Sequence, residues 1–300
     1  MNRKMLFVYN PRSGKAQIKN KLADMLDLFT KAGYDVTAHP TQDRKDAQSV
    51  VQHRDSSYNL VVCSGGDGTL DEVVTGMVKS GFTTPIGYIP AGSTNDFGGS
   101  LVLPKDMMKA AQIAVSGQDF ACDIGGFNED VFVYIAAFGL FTEVSYGTDQ
   151  EIKNVLGHMA YILEGMRSLS NIRSYPMKVT YDDEVIEDDF VFGMITNSAS
   201  VGGFKGITGK NVKLDDGVFE VTLIKTPRNP VEFNNIMVSL LNRDIDTNCM
   251  YSFRTSKLTL ESENKVAWTL DGEFGGDHKR VVIENLNKAI QIRIPREETE

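Results

Sequence analysis

The sequence predicts an α/β fold in which an N-terminal parallel sheet precedes a mostly antiparallel β region. From residue 1 to about residue 125, short apolar runs alternate with segments of helical periodicity. That alternation is typical of βα units, in which a parallel sheet carries helices on both faces. After Asp123 the rhythm changes, and short apolar runs follow one another with only turns between them.

The elements of the N-terminal part can be placed from their patterns. Residues 18–33 repeat Leu22, Met25, Leu26 and Phe29 on one helical face. Apolar runs at 5–9, 58–63 and 86–89 predict strands, and residues 46–53, 70–81 and 105–116 predict further helices.

The C-terminal part predicts strands separated by short turns. The turns contain Asp182-Asp183, Asp215-Asp216-Gly217 and Asp271-Gly272. One helical pattern, at residues 154–168, interrupts the series. The predicted strands cover residues 131–137, 177–181, 185–194, 218–223, 257–260, 267–270, 281–284 and 290–294.

A glycine-rich turn at residues 64–70 carries the first functional signal. Gly65, Gly66 and Gly68 follow a predicted strand and lead into a predicted helix. Glycines let the backbone approach a bulky anion, and Thr69 and the helix N-terminus add hydrogen-bond donors. The pattern favours a nucleotide phosphate as the ligand, although an ordinary tight turn would account for this segment taken alone.

Two further polar loops follow predicted strands, at residues 10–15 and 90–96. Because ligands of open α/β folds bind at the carboxyl ends of the strands, we expect the three loops to lie together. They contribute the cations Arg12 and Lys15 and the carboxylates Asp67 and Asp96, which are groups that phosphoryl transfer uses. A solvated loop remains an alternative for the two cations.

These motifs resemble the diacylglycerol kinase catalytic-domain superfamily, in its bacterial soluble lipid kinase branch. The matching elements are Asn-Pro-x-Ser-Gly at 10–14, Gly-Gly-Asp-Gly-Thr at 65–69, an Asn-Asp element at 92–96 and Leu-Asp-Gly-Glu at 270–273. The resemblance implies a nucleotide-binding domain over residues 1–125, rejoined by a C-terminal strand near 288–300. It also implies that residues 126–287 form a β-sandwich domain for the lipid substrate.

The resemblance further implies an ATP-dependent, Mg²⁺-requiring kinase that phosphorylates a hydroxyl of diacylglycerol or a related lipid. Asp271 matches the family's general base, although Asp-Gly after a strand is also a hairpin signal. Asp67 and Asp96 would organise metal and phosphates, with Lys15 as a further catalytic residue. The residues expected to bind the nucleotide are Asn10, Thr41, Gly65, Gly66, Asp67, Gly68, Thr69, Thr94 and Asn95, with Glu273 contacting nucleotide or metal.

A structural Mg²⁺ is also implied at residues 213–218. Asp216 would be its side-chain ligand, and Lys213 and Val218 would supply carbonyl oxygens, the donors that a hard cation prefers. A plain Asp-rich turn is the alternative interpretation of this segment.

Two positions depart from the family pattern. Ser93 stands where threonine is usual, and Gly99 stands where arginine is usual. Loss of the arginine removes a charge partner for Asp67 and Asp96. The Gly99 departure leaves open a lipid-binding regulator without catalysis. A second alternative is a kinase of a soluble substrate such as NAD kinase, which shares the Gly-Gly-Asp-Gly signature.

The amino-acid composition limits the binding partners, metal sites and location that we expect for the protein. The formal net charge of −9 argues against a nucleic-acid partner. The three cysteines and four histidines are scattered, which argues against a disulfide framework or a zinc site. No apolar run is long enough to cross a bilayer and no signal-peptide pattern is present, so we expect a cytoplasmic protein in peripheral contact with the inner membrane face. A homodimer is a further expectation.

Overall fold

The computed structural model describes residues 3–14, 16–54, 57–93, 95–139, 173–198, 200–201, 204–205, 212–242 and 248–296. The chain divides into two compact units. Unit one comprises Met1–Asp123 and Lys288–Glu300, and unit two comprises Ile124–Asn287.

Unit one alternates strands and helices along the chain. Its strands are β1 (Arg3–Tyr9), β2 (Tyr34–Pro40), β3 (Leu60–Gly65) and β4 (Ile86–Pro90). Its helices are α1 (Ile18–Lys31), α2 (Asp46–His53), α3 (Asp67–Ser80), α4 (Asp96–Ser100) and α5 (Met107–Ser116).

The sheet of unit one is built from parallel pairs. β1 pairs in parallel with β2 and with β3, and β3 pairs in parallel with β4. The last residues of the C-terminal strand join the same sheet, with Ile292 opposite Ile86. The polar segments that follow β1, β3 and β4 therefore leave the sheet at one edge, as expected for the carboxyl ends of parallel strands.

Burial of one helical face holds α1 on this sheet. Ile18, Met25 and Phe29 are buried, and the rings of Phe7 and Phe29 meet edge to face with centroids 5.3 Å apart. Gly33 follows the helix with φ +85°, a backbone conformation that favours glycine. The predicted apolar stripe of residues 18–33 thus packs against the core.

The short helix α4 ends in an unusual cap. The N–H of Leu103 donates to the carbonyl of Gly98 at 2.9 Å, and the N–H of Val102 donates to that of Gly99 at 3.2 Å. This is the hydrogen-bond pattern of a Schellman motif, in which glycine commonly occupies the left-handed position. Here that position is Val102, with φ +56° and 78% of its surface exposed.

Replacing Val102 with glycine is expected to stabilise the protein by about 1 kcal/mol. A left-handed conformation costs an L-residue about 1–2 kcal/mol, and the greater unfolded-state entropy of glycine offsets part of that gain. Thermal melting of Val102→Gly and Val102→Ala would measure this effect. The alanine variant retains a Cβ and should gain less, so equal melting temperatures for all three proteins would contradict the assigned strain.

Unit two is β-rich. Its paired strands lie in the order β13–β12–β9–β7–β14–β15, with β8 pairing with both β9 and β14, and β5 with β6. Its one helix within the described residues is α6 (Pro230–Asn242). Two strands belong partly to unit one, β5 (Gln118–Phe127) and β15 (Glu273–Ile294). The other strands are β6 (Asp130–Phe132), β7 (Ile135–Gly139), β8 (Tyr175–Tyr181), β9 (Glu184–Thr196), β10 (Ser200–Val201), β11 (Phe204–Lys205), β12 (Phe219–Lys225), β13 (Met250–Thr255) and β14 (Lys257–Leu270).

Aromatic packing fills the core of unit two. Trp268 is 1% exposed, and its ring lies 5.1 Å from that of Phe127 and 4.9 Å from that of Phe138. Such pairs stabilise by about 0.5–1.5 kcal/mol beyond their area burial. The prediction of an α/β part followed by a β-rich part is confirmed.

Several secondary-structure predictions need correction, and one lies outside the described residues. The predicted strand 131–137 is two strands, β6 and β7, and the predicted strands 257–260 and 267–270 are parts of one strand, β14. Helix α6 was missed. The predicted strands 281–284 and 290–294 are parts of one long strand, β15. Lys288 bends this strand with φ +54°, and its N–H donates to the Asp123 carboxylate at 2.7 Å, so the polar stretch between the two apolar runs is not a turn. The helix predicted at 154–168 falls among residues that the structure does not describe.

Candidate nucleotide and phosphoryl-transfer site

The loop after β1 is tied to the strands beside it. The N–H of Asn10 donates to the carbonyl of Ser64 at 2.8 Å, and its side-chain oxygen accepts from the N–H of Arg12 at 2.9 Å. Gly14 has φ +55°, and a Cβ there would collide with the carbonyl oxygen of Ala91. The loop therefore approaches the loop after β4 so closely that glycine is required.

The glycine-rich turn after β3 contacts the same neighbour. The carbonyl of Gly65 accepts a hydrogen bond from Ala91 N–H at 2.7 Å. A Cβ on Gly92 would lie 2.7 Å from the Cα of Gly66 and 2.8 Å from Asn95 Oδ1. All three predicted loops therefore meet at one edge of the sheet in unit one.

The glycines of this edge divide into two groups. Gly65 and Gly92 are required by packing, because Cβ atoms there would press on Thr69 and Gly66 respectively. At Gly68 the space is open, since apart from its chain neighbours and its own helix backbone no heavy atom of the described residues lies within 4 Å of the position that a Cβ would occupy. Gly68 lies in the first turn of α3, where helix N–H groups point outward. This position therefore suits the approach of a phosphate.

Asn95 and Asp96 form the start of α4. Asn95 adopts φ +54°, and its side chain both accepts from Gly92 N–H and donates to Gly92 carbonyl, each at 2.8 Å. The N–H of Asp96 donates to Asp67 Oδ2 at 3.2 Å, and Asp96 is only 5% exposed. This hydrogen bond joins the two residues in what we call the acidic corner, and their carboxylates are oxygen donors of the kind that a hard cation binds.

For the remaining predicted site residues of unit one, the structure gives fewer contacts or none. Thr41 follows β2, and its N–H donates to the carbonyl of Tyr9 at 2.9 Å, which anchors it at the same sheet edge. Arg12 is exposed. Lys15 and Thr94 lie outside the described residues.

One buried residue of this edge was missed by the sequence reasoning. Tyr88, in β4, is 1% exposed, and its hydroxyl lies 3.3 Å from the Gly65 carbonyl oxygen and 3.4 Å from Asn95 Oδ1. In the sequence it is simply one apolar member of a strand. The sequence signal for its role is a side chain with a terminal hydroxyl within an otherwise apolar strand.

In unit two, Asp271 occupies a hairpin turn and is nevertheless buried. Asp271 and Gly272 have φ +51° and +86° between paired Leu270 and Glu273, as in a two-residue type I′ hairpin. The hairpin interpretation of this dipeptide is therefore correct. Asp271 is 5% exposed, whereas Glu273 is exposed.

Three backbone amides hold the Asp271 carboxylate. Oδ2 accepts from Val133 N–H at 2.5 Å, and Oδ1 accepts from the N–H groups of Tyr134 and Ile135 at 3.0 and 2.9 Å. These donors stabilise the ionised form.

The carboxylate of Asp216 forms an ion pair with an arginine side chain of the same chain. Arg254 donates to Asp216 Oδ2 at 2.5 Å and to Glu220 Oε1 at 3.2 Å. Burial raises the pKa of Glu220 to about 7, although the adjacent Arg254 opposes that rise. Lys213 is exposed, and Val218 N–H lies 3.4 Å from Asp216 Oδ1. The turn thus attracts a cation, and Arg254 already occupies its carboxylate.

Known proteins resemble the chain over its whole length. Residues 4–127 match the diacylglycerol kinase catalytic domain, and residues 137–293 match the YegS C-terminal NAD kinase beta sandwich-like domain. Diacylglycerol kinases of Staphylococcus epidermidis and Bacillus subtilis are each 32% identical, covering 99% and 98% of this chain and 94% and 97% of their own sequences. The chain belongs to the diacylglycerol kinase family. It is a kinase, and membership implies a nucleotide such as ATP as a substrate.

A solved structure supports the same relationship. A Bacillus anthracis protein assigned to the diacylglycerol kinases superimposes with a TM-score of 0.83 at 26% identity, covering 98% of this chain and 95% of that one. None of the helices in the described part of this kinase is long and apolar enough to cross a bilayer.

Proposed function

We propose that this kinase transfers the γ-phosphoryl group of ATP to a hydroxyl of diacylglycerol or a related lipid. The observation that carries the proposal is the meeting of three loops around Gly66, Gly92 and Asn10 at one sheet edge. Full-length similarity to diacylglycerol kinases supports the choice of a lipid acceptor.

The nucleotide binds at this sheet edge in the proposal. The amides at the start of α3 and the turn Gly65–Thr69 receive the phosphates, since backbone N–H groups there favour an anion. Asn10, Thr41 and Asn95 border the nucleotide, and Lys15 and Thr94 keep the roles predicted for them from the sequence. Glu273 likewise keeps the nucleotide or metal contact predicted for it from the sequence.

Asp271 is the proposed general base. The lipid hydroxyl oxygen attacks the γ-phosphorus as the bond to the ADP oxygen breaks, and the hydroxyl proton passes to the Asp271 carboxylate. The amides of Val133, Tyr134 and Ile135 hold that carboxylate in place. Such preorganisation avoids reorientation during the reaction.

Mg²⁺ is proposed at the acidic corner of unit one. The Asp67 carboxylate accepts from the N–H of Asp96, and the side chains of these two residues supply the oxygen donors that a hard cation accompanying nucleotide phosphates prefers. Among the described residues no three His, Cys, Asp or Glu side chains cluster as a complete metal site, so phosphate and water oxygens would complete the shell. When bound, the ion would neutralise developing charge on the transferring group.

We also propose a structural Mg²⁺ at Lys213, Asp216 and Val218, for which the guanidinium of Arg254 competes. An ion there would have to displace the guanidinium of Arg254 from Asp216. No catalytic step is assigned to this position.

Arg254→Met is expected to lower stability by about 1–3 kcal/mol and to make melting more sensitive to Mg²⁺. The change leaves Asp216 and Glu220 without their shared cation, and a buried charged group without a partner is costly. A divalent ion that binds only the folded protein then restores part of the loss. Thermal melting with and without Mg²⁺, in the absence of nucleotide, measures both effects.

Arg280→Met is the matched control, because Arg280 pairs with Glu261 at the surface and exposed pairs contribute little. A larger Mg²⁺ shift in the wild type than in Arg254→Met would contradict competition at Asp216.

Lipid phosphorylation also implies contact with a membrane surface, where diacylglycerol resides. We propose a peripheral contact at the inner membrane face on this ground, and the homodimer stays a prediction from the sequence.

A soluble acceptor is the second candidate function, because the family model that matches residues 137–293 is described as an NAD kinase beta sandwich-like domain. Release of ADP should be measured with diacylglycerol, a sphingoid base, undecaprenol and NAD as separate acceptors. We expect diacylglycerol or another lipid to stimulate release at least tenfold over NAD. Stimulation by NAD alone would replace the lipid proposal with the soluble one.

A further inference from the structure

Tyr88 sits beneath two of the three loops of the nucleotide edge. Its ring packs against the start of α4, since a Cβ on Gly98 would lie 3.2 Å from Tyr88 Cε1. The side chain is 1% exposed. A buried tyrosine hydroxyl normally finds a hydrogen-bond partner within the protein.

The partners of this hydroxyl belong to different loops. One is the carbonyl oxygen of Gly65, in the turn after β3, at 3.3 Å. The other is Oδ1 of Asn95, in the loop after β4, at 3.4 Å. A single hydroxyl proton shared between both acceptors links the phosphate turn to the loop that carries Asn95.

The charges around Tyr88 keep it a donor. Burial, together with the negative charges of Asp67 and Asp96, raises the pKa of Tyr88 well above its ordinary value. The phenol therefore stays protonated throughout the neutral range and can hold both oxygens.

We propose that Tyr88 is a positioning residue for the nucleotide, whose hydroxyl fixes the spacing between the Gly65 carbonyl and the Asn95 side chain. The inference rests on the nucleotide site of the proposed function and does not depend on which molecule accepts the phosphate. Tyr88 itself touches no reacting atom in this assignment; it acts through Gly65 and Asn95.

A purely structural role makes a different prediction. If Tyr88 only fills the core, its ring carries the effect and the hydroxyl is dispensable. Both acceptors have other donors, because Gly65 carbonyl also accepts from Ala91 N–H and Asn95 Oδ1 from Gly92 N–H. Removing the hydroxyl therefore orphans neither oxygen, so folding should survive the change.

Tyr88→Phe is expected to lower the melting temperature by no more than a few degrees while raising the Kd for ATP about 5- to 10-fold, the scale of one hydrogen bond. In the kinase assay the KM for ATP should rise by a similar factor, with kcat and the KM of the acceptor changing less than twofold. Calorimetric titration with ATP and Mg²⁺ gives the affinity. Tyr34→Phe is the matched control, since Tyr34 is also buried in unit one but lies at the far end of β2 from Thr41.

A double-mutant cycle locates the effect. In an Asn95→Ala background, Tyr88→Phe should raise the Kd for ATP by a smaller factor than it does in the wild type, because only the Gly65 carbonyl remains as a partner of the hydroxyl. Wild-type affinity in Tyr88→Phe, or an undiminished effect in the Asn95→Ala background, would overturn the proposal. A wild-type protein that binds ATP but phosphorylates no lipid would refute the lipid acceptor and leave this inference standing, whereas absence of ATP binding would refute both.

Discussion

Asp271→Asn is expected to reduce the rate of lipid phosphorylation by about 10²- to 10⁴-fold at saturating ATP and Mg²⁺. The asparagine side chain keeps the size of aspartate but cannot take a proton from the lipid hydroxyl, and removal of a general base typically costs that factor. It corresponds to about 3–5 kcal/mol of activation free energy. Nucleotide affinity, which we assign to unit one, should change little.

The structure also predicts a loss of stability for this variant. Three backbone N–H groups donate to the carboxylate, and an amide NH₂ in place of one oxygen leaves at least one of them without its acceptor. The expected loss is about 1–3 kcal/mol. Activity must therefore be measured well below the melting temperature of the variant.

Thr269→Val is the control that separates the loss of the general base from the loss of stability. The Thr269 hydroxyl donates to the Ala137 carbonyl where β14 pairs with β7, two residues before Asp271 in the chain, so its loss destabilises the neighbourhood and spares the carboxylate. It should retain activity within a few-fold. If Asp271→Asn phosphorylates lipid at a rate comparable to Thr269→Val, the base lies elsewhere, and Glu273→Gln becomes the next variant to assay.

Gly68→Val is expected to abolish measurable nucleotide binding while leaving the fold intact. A Cβ at Gly68 would have no described heavy atom within 4 Å apart from its chain neighbours and its own helix backbone, so the fold should accommodate a side chain there. Valine would fill the region at the α3 N-terminus where we propose that the phosphate binds. Glycine is a poor helix former, so the variant should melt at or slightly above the wild-type temperature. Calorimetry with ATP and Mg²⁺ and thermal melting of the same preparation give both quantities.

Gly68→Ala and Gly92→Ala complete the comparison. Alanine at position 68 is smaller and should weaken ATP binding less than valine. At position 92 it would press on Gly66 and Asn95 and should lower the melting temperature as well. Wild-type affinity for ATP in Gly68→Val would contradict the assignment of the phosphate to this turn.

The sequence was sufficient for the elements that carry the loops. β1, β3 and β4 are continuous apolar runs, each followed by a polar, glycine-bearing segment, and both signals are local. Helix α6 also left a local signal that was overlooked: Asn229 caps the N–H groups of Val231 and Glu232, with Pro230 at the first helical position.

The features that were not predicted depend on contacts between distant residues. The bend of β15 at Lys288 is held by Asp123, and the cation at Asp216 is Arg254, from a strand well along the chain. Tyr88 links two loops through one hydroxyl, which no apolar pattern reveals. Spacing in the sequence indicates which residue types are available, but tertiary packing decides which of them meet.

The most direct measurement is transfer of an isotopically labelled γ-phosphoryl group. ATP carrying ¹⁸O in its γ-phosphate would be incubated with the protein, Mg²⁺ and mixed micelles containing diacylglycerol, and the lipid products analysed by mass spectrometry. We expect phosphatidic acid that carries the three labelled oxygens, formed by the wild type and reduced at least a hundredfold with Asp271→Asn. Consumption of ATP with the label recovered only in inorganic phosphate or a soluble product would contradict lipid phosphorylation by this kinase.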